Sequence, residues 1–184
     1  MLHSVFLKPS LHTQTALSRR AALQLLTAGI VSAGVAPRAR GEEVSLERQV
    51  WLAINRERRR EGVPELAWDE PLASEARHHS IRMAEAGFFS HCDPVRGDLA
   101  PRLDAAGIPW QDCAENIIRV NQDDEAPADL AVKAWMESPG HRKNLLNPVY
   151  TLSGVGIAGG AGNHLWMTQD FTHCLDPLGS RQSR

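Results

Sequence analysis

A forced break within Trp135-Met136-Glu137-Ser138-Pro139-Gly140-His141-Arg142 constrains this chain more than any other stretch. Pro139 disfavours helical geometry at Ser138, so the amphipathic run that reaches Trp135 and Met136 has to stop there. Ser138 can cap a second helix that opens on Pro139, where a missing N–H costs nothing. His141 then falls in the first turn of the new helix. A cation is unfavourable beside the free amides of a helix start, so the spacing predicts a neutral imidazole, the form suited to a base or a ligand. The competing reading is a histidine that simply packs or hydrogen-bonds in the turn.

The rest of the chain supplies elements for this junction to pack on. Leu46, Val50, Ala53 and Ile54 recur at helical spacing, so residues 45–61 read as an amphipathic helix ended by Gly62. The basic run Arg56-Glu57-Arg58-Arg59-Arg60 lies late in it and reads as a solvated end that suits the helix dipole. After an extended connector over 63–68, Asp69 caps a second helix with Pro71 in its first turn, and Gly87 stops it. Leu72, Ala76, His79 and Met83 share one face of that helix, and His79 reads as a hydrogen-bonded core histidine. Phe88 and Phe89 read as two apolar anchors ahead of His91, and residues 99–106 as a short helix closed by Gly107.

Residues 110–120 suggest a strand whose alternation puts Glu115 and Ile117 on one face and Asn116 and Ile118 on the other. A glutamate facing inward costs free energy unless it is paired. An edge strand with Glu115 in water fits the same pattern. Residues 128–136 form a third long helix, and 152–158 and 165–172 read as two strands of a hairpin around a glycine-rich turn.

Ahead of these elements, Arg19 and Arg20 precede an uncharged run from Ala21 to Ala36, followed by small residues at Ala39 and Gly41. This is the pattern of a cleaved export signal over residues 1–41, and the paired arginines hint at the twin-arginine type. The run is too short to span a bilayer comfortably. Cleavage before Glu42 would remove five basic and no acidic residues, leaving 15 Lys and Arg against 22 Asp and Glu, a charge of −7 with neutral histidines. Such a chain has no electrostatic means of gripping nucleic acid or anionic lipid. A monomer without a membrane-spanning helix is expected for the mature part. Cys92, Cys113 and Cys174 allow three pairings and leave one thiol over. Cys92–Cys113 is the preferred pair, because one follows His91 and the other closely precedes Glu115.

Several chemistries are excluded. Gly154-Val155-Gly156-Ile157-Ala158-Gly159 matches G-x-G-x-x-G, but more glycine and then a strand follow it, where a dinucleotide site needs a helix. No G-x-S-x-G, H-E-x-x-H or Walker-type loop is present. What remains is a dispersed set of polar residues in unusual contexts: His91, Glu115 and His141.

Taken in order, these segments resemble the CAP superfamily, which comprises cysteine-rich secretory proteins, venom antigens and plant pathogenesis-related proteins, and most of all its bacterial secreted branch. The carriers are Leu66-x-Trp68-Asp69-x-x-Leu72, Ala76-x-x-His79-x-x-x-Met83, Ser90-His91-x-x-Pro94 and Glu115-Asn116-Ile117. The junction itself follows, as Trp135-Met136-x-Ser138-Pro139-Gly140-His141-Arg142-x-Asn144-Leu145-Leu146. Gly154-Val155-Gly156 and Trp166-x-Thr168-Gln169-x-Phe171 close the pattern.

The resemblance implies a single α+β domain over 42–176 with an eight-residue tail. It implies an α-β-α sandwich, with helices on both faces of a small, mainly antiparallel sheet. It also implies a shallow cleft of two histidines and two glutamates. His91, Glu115 and His141 match three of these, with Ser138, Asn116 and Gln169 as supporting residues. Ser138 stands where the second glutamate is usual, and Glu137, one residue early, is rotated by about 100° on a helix. The implied cleft is a triad with an open fourth corner. Two histidines and a carboxylate could hold Zn²⁺ or another divalent cation. A hydrogen-bonded polar cluster is the alternative. Three functional readings follow: a non-enzymatic extracytoplasmic binding module, an extracellular metal-dependent hydrolase or peptidase using His91, Glu115 and His141, and lipid or sterol binding.

Overall fold

In the computed structural model, which describes residues 44–173, Ser45 Oγ accepts from the Arg48 amide and opens α1 (Leu46–Arg60). The expected export signal, Cys174 and the tail lie outside the described residues. The connector forms the two-residue strand β1 (Ala67–Trp68). Asp69 then caps α2 (Glu70–Ala86) through a 2.9 Å bond to the Leu72 amide, and Gly87 ends it at φ 70°, a left-handed conformation that glycine adopts at no steric cost. Next come α3 (Leu99–Ala105), β2 (Asp112–Asn121), α4 (Pro127–Glu137) and α5 (Pro139–Leu145). The chain closes with the hairpin β3 (Leu152–Gly160) and β4 (His164–His173).

The sheet order is β1-β3-β4-β2, with β1 parallel to β3 and the other pairs antiparallel. On one face, α2 lies directly against β3. A Cβ at Gly154 would stand 2.0 Å from the Ala73 nitrogen, and one at Gly156 1.9 Å from that of Arg77, so both positions exclude any side chain. Ser80 on α2 donates to the Gly156 carbonyl at 3.0 Å and fixes the register of the contact. On the other face, Val155, Met167 and Phe171 bury against Val50 and Ile54 of α1, Ala131, Val132 and Trp135 of α4, and Leu145 of α5. Each buried Val, Ile, Leu, Met or Phe side chain among these contributes about 1.5–3 kcal/mol. The result is the expected three-layer α-β-α sandwich, with a mixed rather than purely antiparallel sheet.

Two expectations change. Arg58 is not a solvated helix end; it is fully buried. Its guanidinium donates to the carbonyls of Pro64, Leu145, Asn147 and Tyr150, because its planar fork can satisfy several acceptors at once where the backbone is irregular. Ser138 does stand between α4 and α5, but its side chain makes no capping bond. The break is carried by Pro139 and by the backbone, with the Ser138 N–H bonded to the Trp135 carbonyl and the Ser138 carbonyl accepting from Arg142.

β2 is an edge strand of the sheet. Side chains from the second helical layer reach its backbone: Trp135 Nε1 donates to the Ile117 carbonyl at 3.2 Å, and Asn144 Nδ2 to that of Glu115 at 3.4 Å. Asn116 answers by donating to the carbonyl of His141 at 3.2 Å and accepting from Asn144 at 3.0 Å. The junction and the Glu115-Asn116-Ile117 segment therefore dock on one another.

Candidate functional site

Glu115 is on an edge strand but is buried, so the inward-facing reading holds and the reading with Glu115 in water does not. It faces the α2 side of the sheet. One oxygen, Oε1, accepts from His91 Nδ1 at 2.8 Å, and the other, Oε2, accepts from Arg102 Nη2 of α3. An ionised carboxylate only accepts, so the proton of His91 sits on Nδ1 and the other ring nitrogen points away from Glu115. Burial works against the charge of Glu115, but the His91 hydrogen bond and the Arg102 guanidinium outweigh it and hold the carboxyl below the ordinary range.

His91 is carried by the loop that leaves α2, and its side chain is 54% exposed. His79, fully buried on α2, lies beneath it. Its Nε2 is 3.0 Å from the Ser90 carbonyl and 3.8 Å from Glu115, so it anchors the loop as the expected core histidine. Only one of the two apolar anchors forms. Phe88 packs on the His79 ring with centroids 5.9 Å apart, whereas Phe89 is half exposed.

His141 enters from the opposite layer, in the first turn of α5, where its carbonyl accepts from Asn116 of β2. Its pKa is lowered, first by burial and then by repulsion from His91. The direction is the one expected from the helix start, but the cause is desolvation and a neighbouring imidazole.

The supporting residues divide. Asn116 ties β2 to α5 as described. Gln169, fully buried, donates to Ser153 Oγ at 3.1 Å within the sheet and makes no hydrogen bond to the trio. Ser138 adds no side-chain bond, and Glu137 is exposed, 3.9 Å from Lys133, so the fourth corner has no carboxylate.

The preferred disulfide is not formed: Cys92 and Cys113 are both free thiols. Cys92 is exposed in the His91 loop, while Cys113 is half-buried at the start of β2 beside Leu72, Leu99 and Leu103. The two side chains face different surroundings.

Sequence reasoning missed Arg102, Glu75 and Asp170. Arg102 is fully buried between Glu115 and Glu75, with its Nη1 3.7 Å from Glu75, which Arg96 clamps through two 2.8 Å bonds. Its signal was a position beside Leu99 and Leu103 on the apolar face of a short helix. Asp170 is fully buried and lies opposite Glu115 in the strand register. Its signal was the polar alternation Thr168-x-Asp170-x-Thr172.

The donor set does not fit a metal ion. Both oxygens of Glu115 are engaged, a zinc site of the catalytic kind needs three protein ligands, and among the described residues no three His, Cys, Asp or Glu side chains gather as an ion would require. A groove of about 560 Å³ between α1 and α4 lies away from the trio, rimmed by Arg56, Glu57, Arg60, Lys133 and Glu137.

The cysteine-rich secretory protein (CAP) family model matches residues 51–171. The chain is 37% identical over 125 residues to the uncharacterized protein YkwD of Bacillus subtilis, covering 68% of this chain and 46% of that one. It is 36% identical over 129 residues to the uncharacterized membrane protein YlbC of the same organism, covering 70% and 35%. The chain thus spans less than half the length of these relatives. Among solved structures, an extracellular SCP-domain protein of Bacillus anthracis is 36% identical with a TM-score of 0.60, over 70% of this chain and 40% of that one. An outer surface protein of Borrelia burgdorferi, 18% identical, shares the fold with a TM-score of 0.61 over 72% and 98%. With its sandwich, its docked junction and the His91–Glu115 pair all in place, the chain belongs to the cysteine-rich secretory protein (CAP) family.

Proposed function

We propose that this chain is an exported, non-enzymatic binding module whose cleft, with His91 and His141 over Glu115, takes a polar component of the cell envelope. The carrying observation is the double engagement of Glu115 by His91 and Arg102. A carboxylate held below its ordinary range is a poor general base, and its work is to fix the tautomer and direction of His91. The pair of imidazoles, one largely exposed, is then a preformed polar surface rather than a nucleophile–base couple. Export is supported by the pattern of residues 1–41 and by the extracellular relative from Bacillus anthracis.

The test is co-sedimentation of the mature protein, purified without chelator, with isolated peptidoglycan sacculi. His91→Ala and His141→Ala should each weaken association roughly tenfold, the effect of losing one ordinary hydrogen bond, while the fold is retained. Hydrolysis of the sacculi by wild type, or stoichiometric Zn²⁺ in wild type that both variants lose, would overturn this reading in favour of a metal-dependent hydrolase. Failure of wild type to sediment with sacculi would remove the envelope ligand.

A further inference from the structure

Four acids are buried among the described residues: Glu75, Asp93, Glu115 and Asp170. Three have cations. Arg96 grips Glu75, Arg82 lies 3.1 Å from Asp93, and Arg102 meets Glu115. Asp170 is different: it has no exposed surface, and neither carboxyl oxygen meets a nitrogen or hydroxyl donor. An ionised carboxylate stranded in this way is far costlier than a protonated one. The strand register supplies the acceptor for such a proton. Asp170 and Glu115 are direct partners on neighbouring strands, so their side chains stand side by side on the α2 face, where carboxyl groups come within reach of one another.

We propose that Asp170 carries a proton in the folded chain and donates it to Glu115, making Asp170 a positioning residue for the carboxylate that holds His91. Glu115 then accepts from three sides, from His91, Arg102 and Asp170, within the capacity of a carboxylate. The charged and titratable groups acting on Asp170 are Glu115 across the strand pair, Arg102 from α3, Glu75 from α2 and the Cys113 thiol on β2; His79 stands behind Glu115. Burial first, and then the negative charge of Glu115, push the Asp170 carboxyl well above the ordinary range, and Arg102 offsets only part of this. The protonation stands on the buried network alone. Its use in presenting His91 rests on the cleft reading.

The experiment is carboxyl ¹³C NMR of the full chain labelled at aspartate, with the Asp170 resonance assigned by its loss in Asp170→Asn. At neutral pH that resonance should lie at the position of a protonated acid; a carboxylate position would overturn the proposal. Because the carboxyl is raised in the fold, wild type binds an extra proton when folded and loses stability as pH rises from the ordinary carboxylate range through the folded value. Asp170→Asn has no such proton, so its stability relative to wild type should grow with pH over that range, and a pH-independent difference would count against the idea. The amide of Asp170→Asn also keeps a donor for Glu115, so the His91 Nδ1–H should remain bonded. In Asp170→Leu it should exchange with solvent roughly tenfold faster, the factor of one lost hydrogen bond. Should Asp170→Leu fail to fold, the wild-type resonance decides alone. Loss of sacculus binding with that resonance intact would sink the cleft reading and leave this one standing.

Discussion

Arg58 Nη1 donates to the carbonyl of Leu145 at 2.7 Å, joining the last turn of α1 to the end of the short helix that carries His141 in its first turn. The same guanidinium serves three further carbonyls, and burial lowers its pKa. Arg58→Met should leave these acceptors unpaired and cost about 3 kcal/mol or more. Arg58→Lys should rescue little, since a single ammonium cannot reproduce the fork. Urea unfolding of both variants checks this, and a loss below about 1 kcal/mol in Arg58→Met would contradict it.

His141 should titrate below the ordinary histidine value of ~6.5 when followed through its ring protons by NMR. Burial is the larger cause and His91 the smaller, so His91→Gln should raise the His141 value without restoring it fully. Because the folded value is depressed, His141 penalises folding as pH falls below ~6.5. His141→Gln should therefore lose less stability than wild type between neutral and mildly acidic pH.

Asp93 ties the His91 loop through the amides of Val95 and Arg96 and through Arg82. Burial opposes its charge, yet these partners prevail and bring its pKa down to about 2. Its contribution is thus complete above ~3.9 and is lost as pH falls toward the folded value. Asp93→Ala should cost about 2 kcal/mol at neutral pH, and the gap from wild type should narrow steadily below pH ~4. Parallel denaturant curves at the two pH values provide the measurement.

The thiols offer a direct check on the absent bridge. Cys92 is exposed, though Asp98 raises its pKa by holding the thiol proton; Cys113 is pushed up to about 11, by burial first and then by neighbouring acids. In a Cys174→Ser background, a maleimide should modify Cys92 in the native protein and Cys113 only after unfolding. Recovery of a Cys92–Cys113 linked peptide without reductant would reverse the assignment.

Much of the frame was legible because local rules dominate it. Asp69, Gly87, Pro139 and the hairpin glycines punctuate the chain where propensity and sterics say they should. His91, Glu115 and His141 stood out as polar residues in odd places, and His91 and Glu115 do pair, at 2.8 Å. The fates of Arg58, Arg102 and Asp170 were not legible. Whether a charged side chain is buried depends on partners brought from 87 residues away for Arg58 and on a strand register for Asp170, and neither is written in periodicity. Glu115 shows the limit most clearly, since alternation could place it on a face but could not supply Arg102.

The bonds from Trp135 and Asn144 to the carbonyls of Ile117 and Glu115 have a consequence beyond the cleft. Carbonyls two residues apart on an outermost strand point the same way, and a free row of them is a template for intermolecular pairing and fibril growth. The helices that bring His141 into place are also the chain's guard against self-aggregation, so a ligand that pried α5 away would expose an adhesive strand as it opened the site.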